Sequence, residues 1–153
     1  MKRRGFQAKE VLELTGVTYR QLDYWSRTGI ITPEENQNGG RMTRAFVFED
    51  LVIIRVAAKL LDSGLNFQAT KKAVVWLREL FRQNADGEFL LAVEGENLKL
   101  LTNNPGEIMD FIRGKCVLTI DVGQIIKQLI EKIEVLKRKS NTKRNVGTVK
   151  KAV

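Results

Sequence analysis

Arg20, Tyr24 and Arg27 stand at i, i+4 and i+7, the spacing that places three side chains on one face of a helix. Two guanidinium groups beside an aromatic ring suit the binding of an anion, because each carries a permanent charge and a fork of N–H donors that can reach a phosphate or a base edge. Thr18, Leu22 and Trp25 fall on nearly the opposite side, so one face would pack while the other stays free. The same pattern also describes an ordinary solvated amphipathic helix. Two further arginines, Arg41 and Arg44, lie in a segment of strand character that could reach the phosphate backbone beside a groove.

Catalytic chemistry has little to work with. The 153 residues contain no histidine, which excludes a histidine general base, a Ser-His-Asp or Cys-His pair and any zinc site that needs imidazole ligands. The single cysteine, Cys116, sits in the apolar run Cys116-Val117-Leu118-Thr119-Ile120 and reads as a core residue; a thiol sensor or an intermolecular bridge is its functional alternative. Asp86, Glu88, Glu94 and Glu96 could hold a hard cation, but in this setting they read as a solvated acidic loop. No enzyme activity, cofactor or metal is expected.

Gln7 to Leu14 has the pattern of a short helix ended by Gly16. Thr18 with Gln21 three residues on forms a capping box, which starts a second helix that Gly29 ends. Glu34 to Gly40 is turn-rich, and Arg41 to Phe48 reads as a strand, together a β-hairpin wing with Phe46 and Phe48 in the core. Helices over Glu49 to Asp62 and Phe67 to Gln83 follow, the latter capped by Asn66. Leu51, Ile54, Ala58 and Leu61 form one apolar stripe, and Ala69, Ala73, Leu77 and Leu80 another. Helix, short turn, helix and wing is the order that delivers a recognition helix to the major groove.

Val11 to Thr18, Leu22 to Ile31, and Arg44-Ala45-Phe46 with Asp50-Leu51 together resemble the MerR family of bacterial winged-helix transcription regulators, over about residues 6 to 82. The resemblance implies that Arg20 and Tyr24 face DNA and that Arg44 is the wing arginine. With the neighbouring positions, the expected DNA-binding set is Thr18, Tyr19, Arg20, Tyr24, Arg27, Arg41 and Arg44. Asp23 departs from the family, whose members commonly carry arginine there; an acid facing phosphates would weaken binding, so Asp23 is expected to pair with Arg20, Arg27 or a wing arginine. The Asn-Gly-rich loop before Arg44 is also longer than the compact wing typical of the family. Relatives that sense metals or redox state use clustered cysteines, which a lone Cys116 cannot supply.

The overall charge of +8 divides unevenly along the chain: +5 over residues 1–83, −4 over 84–136 and +7 over 137–153. The break, at the loop-like Gln83 to Gly87, suggests a domain boundary. Beyond it, where family members usually run straight into a long coiled coil, the chain reads as a small β-β-α-β unit. Its hairpin is Glu88 to Val93 with Asn97 to Leu101, its short helix runs from Asn104 through Phe111, and its last strand is Lys115 to Ile120. From Val122, the residues Val122, Ile126, Leu129, Ile133 and Leu136 make a coiled-coil-like seam that Ile125 and Ile130 widen. This helix could cover the sheet, join a second subunit, or do both.

The expected architecture is mainly α with small β elements. A winged helix-turn-helix over 1–83 is followed by a small α/β module with a C-terminal amphipathic helix over 84–139, serving dimerisation or partner or effector binding, and by a basic disordered tail over 140–153. The expected function is a sequence-specific regulator that binds double-stranded DNA as a homodimer on a palindromic promoter site, with RNA polymerase as a possible partner there. The alternative is a DNA-architectural or chromosome-anchoring protein whose acidic middle binds a protein. The basic start, Met1 to Gly5, has no apolar run after it and no 18-residue apolar stretch occurs, so the expected location is the cytoplasm, at the nucleoid, without membrane association.

Overall fold

The computed structural model describes residues 5–38, 41–83, 90–94, 97–101 and 118–151. In chain order the elements are β1 (Phe6–Gln7), α1 (Ala8–Thr15), α2 (Tyr19–Arg27), β2 (Glu34–Asn38), β3 (Arg41–Phe46), α3 (Phe48–Asp62), α4 (Phe67–Gln83), β4 (Leu90–Glu94), β5 (Asn97–Leu101), β6 (Leu118–Asp121) and α5 (Val122–Lys151). The fold is mainly helical, with two small antiparallel sheets ordered β1-β3-β2 and β5-β4-β6.

Helices α1, α2 and α4 lie where their cap signals place them. Gly16 closes α1 in the left-handed conformation at φ 77°, and its N–H bonds to the Leu12 carbonyl at 2.9 Å. Asn66 Oδ1 accepts the Ala69 N–H at 2.8 Å to open α4. The wing differs in two details. Residues 34–38, read as loop, pair with β3 in a continuous register from Glu34 opposite Ala45 to Asn38 opposite Arg41. The strand expected to reach Phe48 stops at Phe46, because the Asp50 carboxylate accepts the Val47 N–H at 3.0 Å and starts α3 there. Phe46 is fully buried, whereas Phe48 packs at the edge of the core.

The stripe on α3 is broader than its expected spacing. Leu51, Val52, Ile53, Ile54, Val56, Ala57 and Leu60 are all buried, while Ala58 and Leu61 are only partly so. A helix buried on most of its circumference is a central one, and α3 packs against α1, α4 and α5. Arg78 of α4 binds Asp50 at 3.3 Å, and Arg55 of α3 donates to the Thr15 carbonyl at 3.2 Å, so polar contacts tie α3 to α4 and to α1. On α4, Thr70, Ala73, Val74, Leu77 and Leu80 are buried, with Ala69 partly covered.

Beyond residue 83, the hairpin β4–β5 and the strand β6 form the second sheet, with Leu91 opposite Leu100 and Ile120. The short helix expected over 104–111, together with Cys116, Asp86, Glu88 and Glu96, lies outside the described residues. Asp121 Oδ1 caps α5 by accepting the Gln124 N–H at 3.0 Å. The buried line on α5 is Val122, Ile125, Leu129 and Ile133, with Ile126 and Leu136 at its margin, so Ile125 belongs to its centre and Ile126 does not. This helix covers more than the small sheet: it packs on α1 and α3 as well as β4. Its side chains join those of the winged helix in one hydrophobic cluster that runs from Phe6 to Ile133.

The segment expected as a disordered tail from residue 140 is instead helical through Lys151. Its lysines and arginines are good helix formers, proline is absent, and extending an established helix is far easier than nucleating one. Thr142 Oγ1 also donates to the Arg138 carbonyl at 2.9 Å.

The shared core has a measurable consequence. Leu129→Ala is expected to cost about 2–4 kcal/mol in urea unfolding and to speed amide hydrogen exchange in α1 and α3 as well as in α5. A loss of protection confined to α5 would show that the two parts are energetically separate.

Candidate nucleic-acid interface

Helix α2 is built to stand with one face bare. Thr18 Oγ1 accepts the Gln21 N–H at 3.1 Å and Gln21 Oε1 accepts the Thr18 N–H at 3.0 Å, the reciprocal pair that satisfies two donors left over at a helix start. Thr18 is thus an exposed cap and not a packing residue. Leu22 and Trp25, 2% and 3% exposed, anchor the helix to the core. At its other end, Ser26 Oγ and Thr28 Oγ1 donate to the carbonyls of Leu22 and Tyr24. Gly29 then turns the chain at φ 82°, a conformation that disfavours any side chain, and Ile30 and Ile31 return to the core.

The opposite face carries Tyr19, Arg20, Tyr24 and Arg27, all exposed, with Tyr19 63% and Tyr24 49% accessible. Two exposed tyrosine rings and two exposed guanidinium groups on one short helix put apolar faces beside N–H donors. Tyr24 is held from one side by Phe67, whose ring lies 5.4 Å away at a 51° tilt.

Asp23 links this face to the wing. Its Oδ2 binds Arg27 Nη2 at 2.7 Å and its Oδ1 binds Arg44 Nη1 at 3.0 Å. The acid that breaks the expected basic pattern therefore pairs with one helix arginine and with the wing arginine. Arg44 lies opposite Glu35 in the hairpin, and Arg41 opens β3 opposite Asn38. The structure thus brings Tyr19, Arg20, Tyr24 and Arg27 onto one surface and joins Arg44 to it through Asp23, while Arg41 is placed by its backbone register alone.

Two neighbours of this surface escape a sequence reading. Phe67, at the start of α4, props Tyr24, and the Lys71 side chain passes beside Gly29: a Cβ there would lie 3.9 Å from its Cε and Nζ. A cation just past a helix C-terminus is electrostatically favoured. The signal available in advance was the pair Lys71-Lys72 near the start of a helix, which does not say what that helix packs against.

No group of three or more metal-ligating side chains occurs among the described residues, and no helix among them is long and apolar enough to cross a membrane. A cleft of about 640 Å³ opens between α1 and α5, lined by Glu13, Leu14, Glu131, Lys132 and Val135 among others. Its charges are mixed in sign, Glu13 and Glu131 with Lys132 and Lys139, which selects no ligand class.

A family model described as "MerR HTH family regulatory protein" matches residues 6–74. Two proteins of Mycobacterium tuberculosis strains and one of Mycobacterium bovis, each named as an uncharacterized HTH-type transcriptional regulator, are 29% identical to this chain over 111 residues. The match takes in 72% of this chain and 48% of each relative, so the chain spans about half the length of the curated relatives it matches. The capped α2 with its buried Leu22 and Trp25, the hairpin β2–β3 and the α3–α4 pair all fall within or across the matched segment. Residues 6–74 of this chain are a MerR-family helix-turn-helix domain.

Proposed function

We propose that this chain is a transcription regulator that binds double-stranded DNA sequence-specifically, as a homodimer on a palindromic promoter site. The observation that carries the reading is the exposed face of α2, with Tyr19, Arg20, Tyr24 and Arg27 on a helix anchored by Leu22 and Trp25, inside a MerR-type domain. In this reading α2 enters the major groove, where Arg20 reaches base edges or phosphates and Tyr24 contacts the backbone or a base. The hairpin with Arg41 and Arg44 follows the adjacent phosphates. RNA polymerase would be met at the promoter, at the nucleoid, and nothing in this mechanism calls for catalysis, a metal or a cofactor.

A two-fold dimer supports such a role because one short recognition helix reads few base pairs, and two of them double the site. Helix α5 carries exposed apolar side chains outside its buried line, Ile130 at 46% on one flank and Val135 at 49% on the other, beside the cleft with α1, and the flank with Ile130 is the one we assign to a second subunit. The segment 84–139 would then be a dimerisation and partner module, and the lysines and arginines after residue 136 would add sequence-independent attraction to DNA.

Selection of binding sites from randomised duplexes should yield one palindromic motif with the wild-type protein. Arg20→Ala with Tyr24→Ala should abolish the motif, lowering affinity for it by about tenfold to a hundredfold at physiological salt. Unchanged binding would move the activity away from α2, and a preference over bulk DNA of only a few-fold would favour an architectural role. Analytical ultracentrifugation at micromolar concentration should give a dimer without DNA, converted to monomer by Ile130→Glu; a wild-type monomer would refute the dimer.

A further inference from the structure

The carboxylate of Asp23 lies between two cations of the surface assigned to DNA. Each of its oxygens takes one guanidinium, Arg27 from its own helix at 2.7 Å and Arg44 from the wing at 3.0 Å. Asp23 and Arg44 are 26% and 28% exposed while Arg27 is 67% exposed, so the group sits at the junction of helix and hairpin with one arginine reaching outward. Asp23 and Arg44 stand twenty-one positions apart in the sequence, and their side-chain bond joins α2 to β3.

We propose that Asp23 is a positioning residue that fixes the wing against the recognition helix and withholds one unit of positive charge from the phosphates, lowering sequence-independent affinity in favour of selectivity. The inference rests on the DNA-binding reading above and adds to it a residue that makes no contact with DNA itself.

Three physical points support it. Phosphate attraction is indifferent to sequence, and each neutralised phosphate adds about 0.9 to the slope of log K against log salt. Two arginines with one aspartate present a single net charge where two arginines alone would present two. A guanidinium has five N–H donors, and the bond from Arg44 Nη1 to Asp23 leaves others for a phosphate while setting the plane in which they point. A wing held by a bond to the reading helix keeps one register between groove and backbone contacts, whereas a free wing can follow phosphates on any sequence.

The test uses Asp23→Asn, which keeps the shape and removes the charge, and Arg44→Gln, which breaks the same link without adding net positive charge. In the free proteins, both should speed amide hydrogen exchange across residues 41–46 several-fold, with thermal unfolding showing that each folds. On a mixed-sequence duplex, Asp23→Asn should bind about threefold to tenfold more tightly than wild type and steepen the salt slope by about one per bound protomer. Its preference for the wild-type selected site over that duplex should fall. Arg44→Gln should lose preference too, but with a shallower slope.

Unchanged wing exchange in Asp23→Asn would overturn the link, whatever happens on DNA. Equal or weaker binding of the mixed-sequence duplex by that variant, with a wild type that does bind DNA, would overturn the charge argument alone. A wild type that binds no duplex would remove the DNA-binding reading and this inference with it.

Discussion

Helix α2 has only two buried side chains, Leu22 and Trp25, and the exposed face depends on their staying buried. A nine-residue helix this polar is not stable in isolation. It holds because the reciprocal bonds of Thr18 and Gln21 satisfy its first donors, and because an indole and an isobutyl group enter a core already built by α1 and α3. Burying such groups contributes on the order of 2–3 kcal/mol each, enough to fix a helix whose remaining side chains do nothing for the interior. Tyr19, Arg20, Tyr24 and Arg27 are thereby held out in a defined array without having to pack.

The core that receives α2 extends well beyond the helix-turn-helix. Helix α3 is buried around most of its circumference, and α5 closes over it and over α1 with Val122, Ile125, Leu129 and Ile133. Arg55 and Arg78 bind across the same joints through Thr15 and Asp50. A chain whose charge falls into basic, acidic and basic stretches is therefore continuous inside: charge is a property of the surface, and the hydrophobic cluster passes beneath the change of sign.

Much of the interface was legible in the residues because it rests on local physics. The capping box at Thr18, the glycine at the end of α2 and the helical spacing of Arg20, Tyr24 and Arg27 each act within a few residues. Asp23 was legible as a problem, an acid among cations, with Arg20, Arg27 and the wing arginines as its candidate partners; the two it binds are Arg27 and Arg44. What escaped were contacts between elements distant in sequence: Phe67 under Tyr24, Lys71 beside Gly29, and α5 against α1 and α3. Periodicity also misplaced the buried line on α3 and α5, since a helix with apolar residues on several sides leaves the choice of inner face to its neighbours. The stretch after residue 139 was misread for a related reason: a composition too polar to fold alone says little once a preceding helix has paid the nucleation cost.

Helix α5 has a mechanical consequence as well. Thirty residues at 1.5 Å each make a rod of about 45 Å, and its inner part, to Ile133, is embedded in the core that supports α2 while the side chains of residues 137–142 are exposed. The rod is a lever with its fulcrum under α1 and α3. The arm beyond Ile133 is about 27 Å long, so a tilt of about five degrees at the fulcrum would move the far end by roughly 2.4 Å on that length. A small rotation in the core beneath α2 would therefore be enlarged at the end of α5.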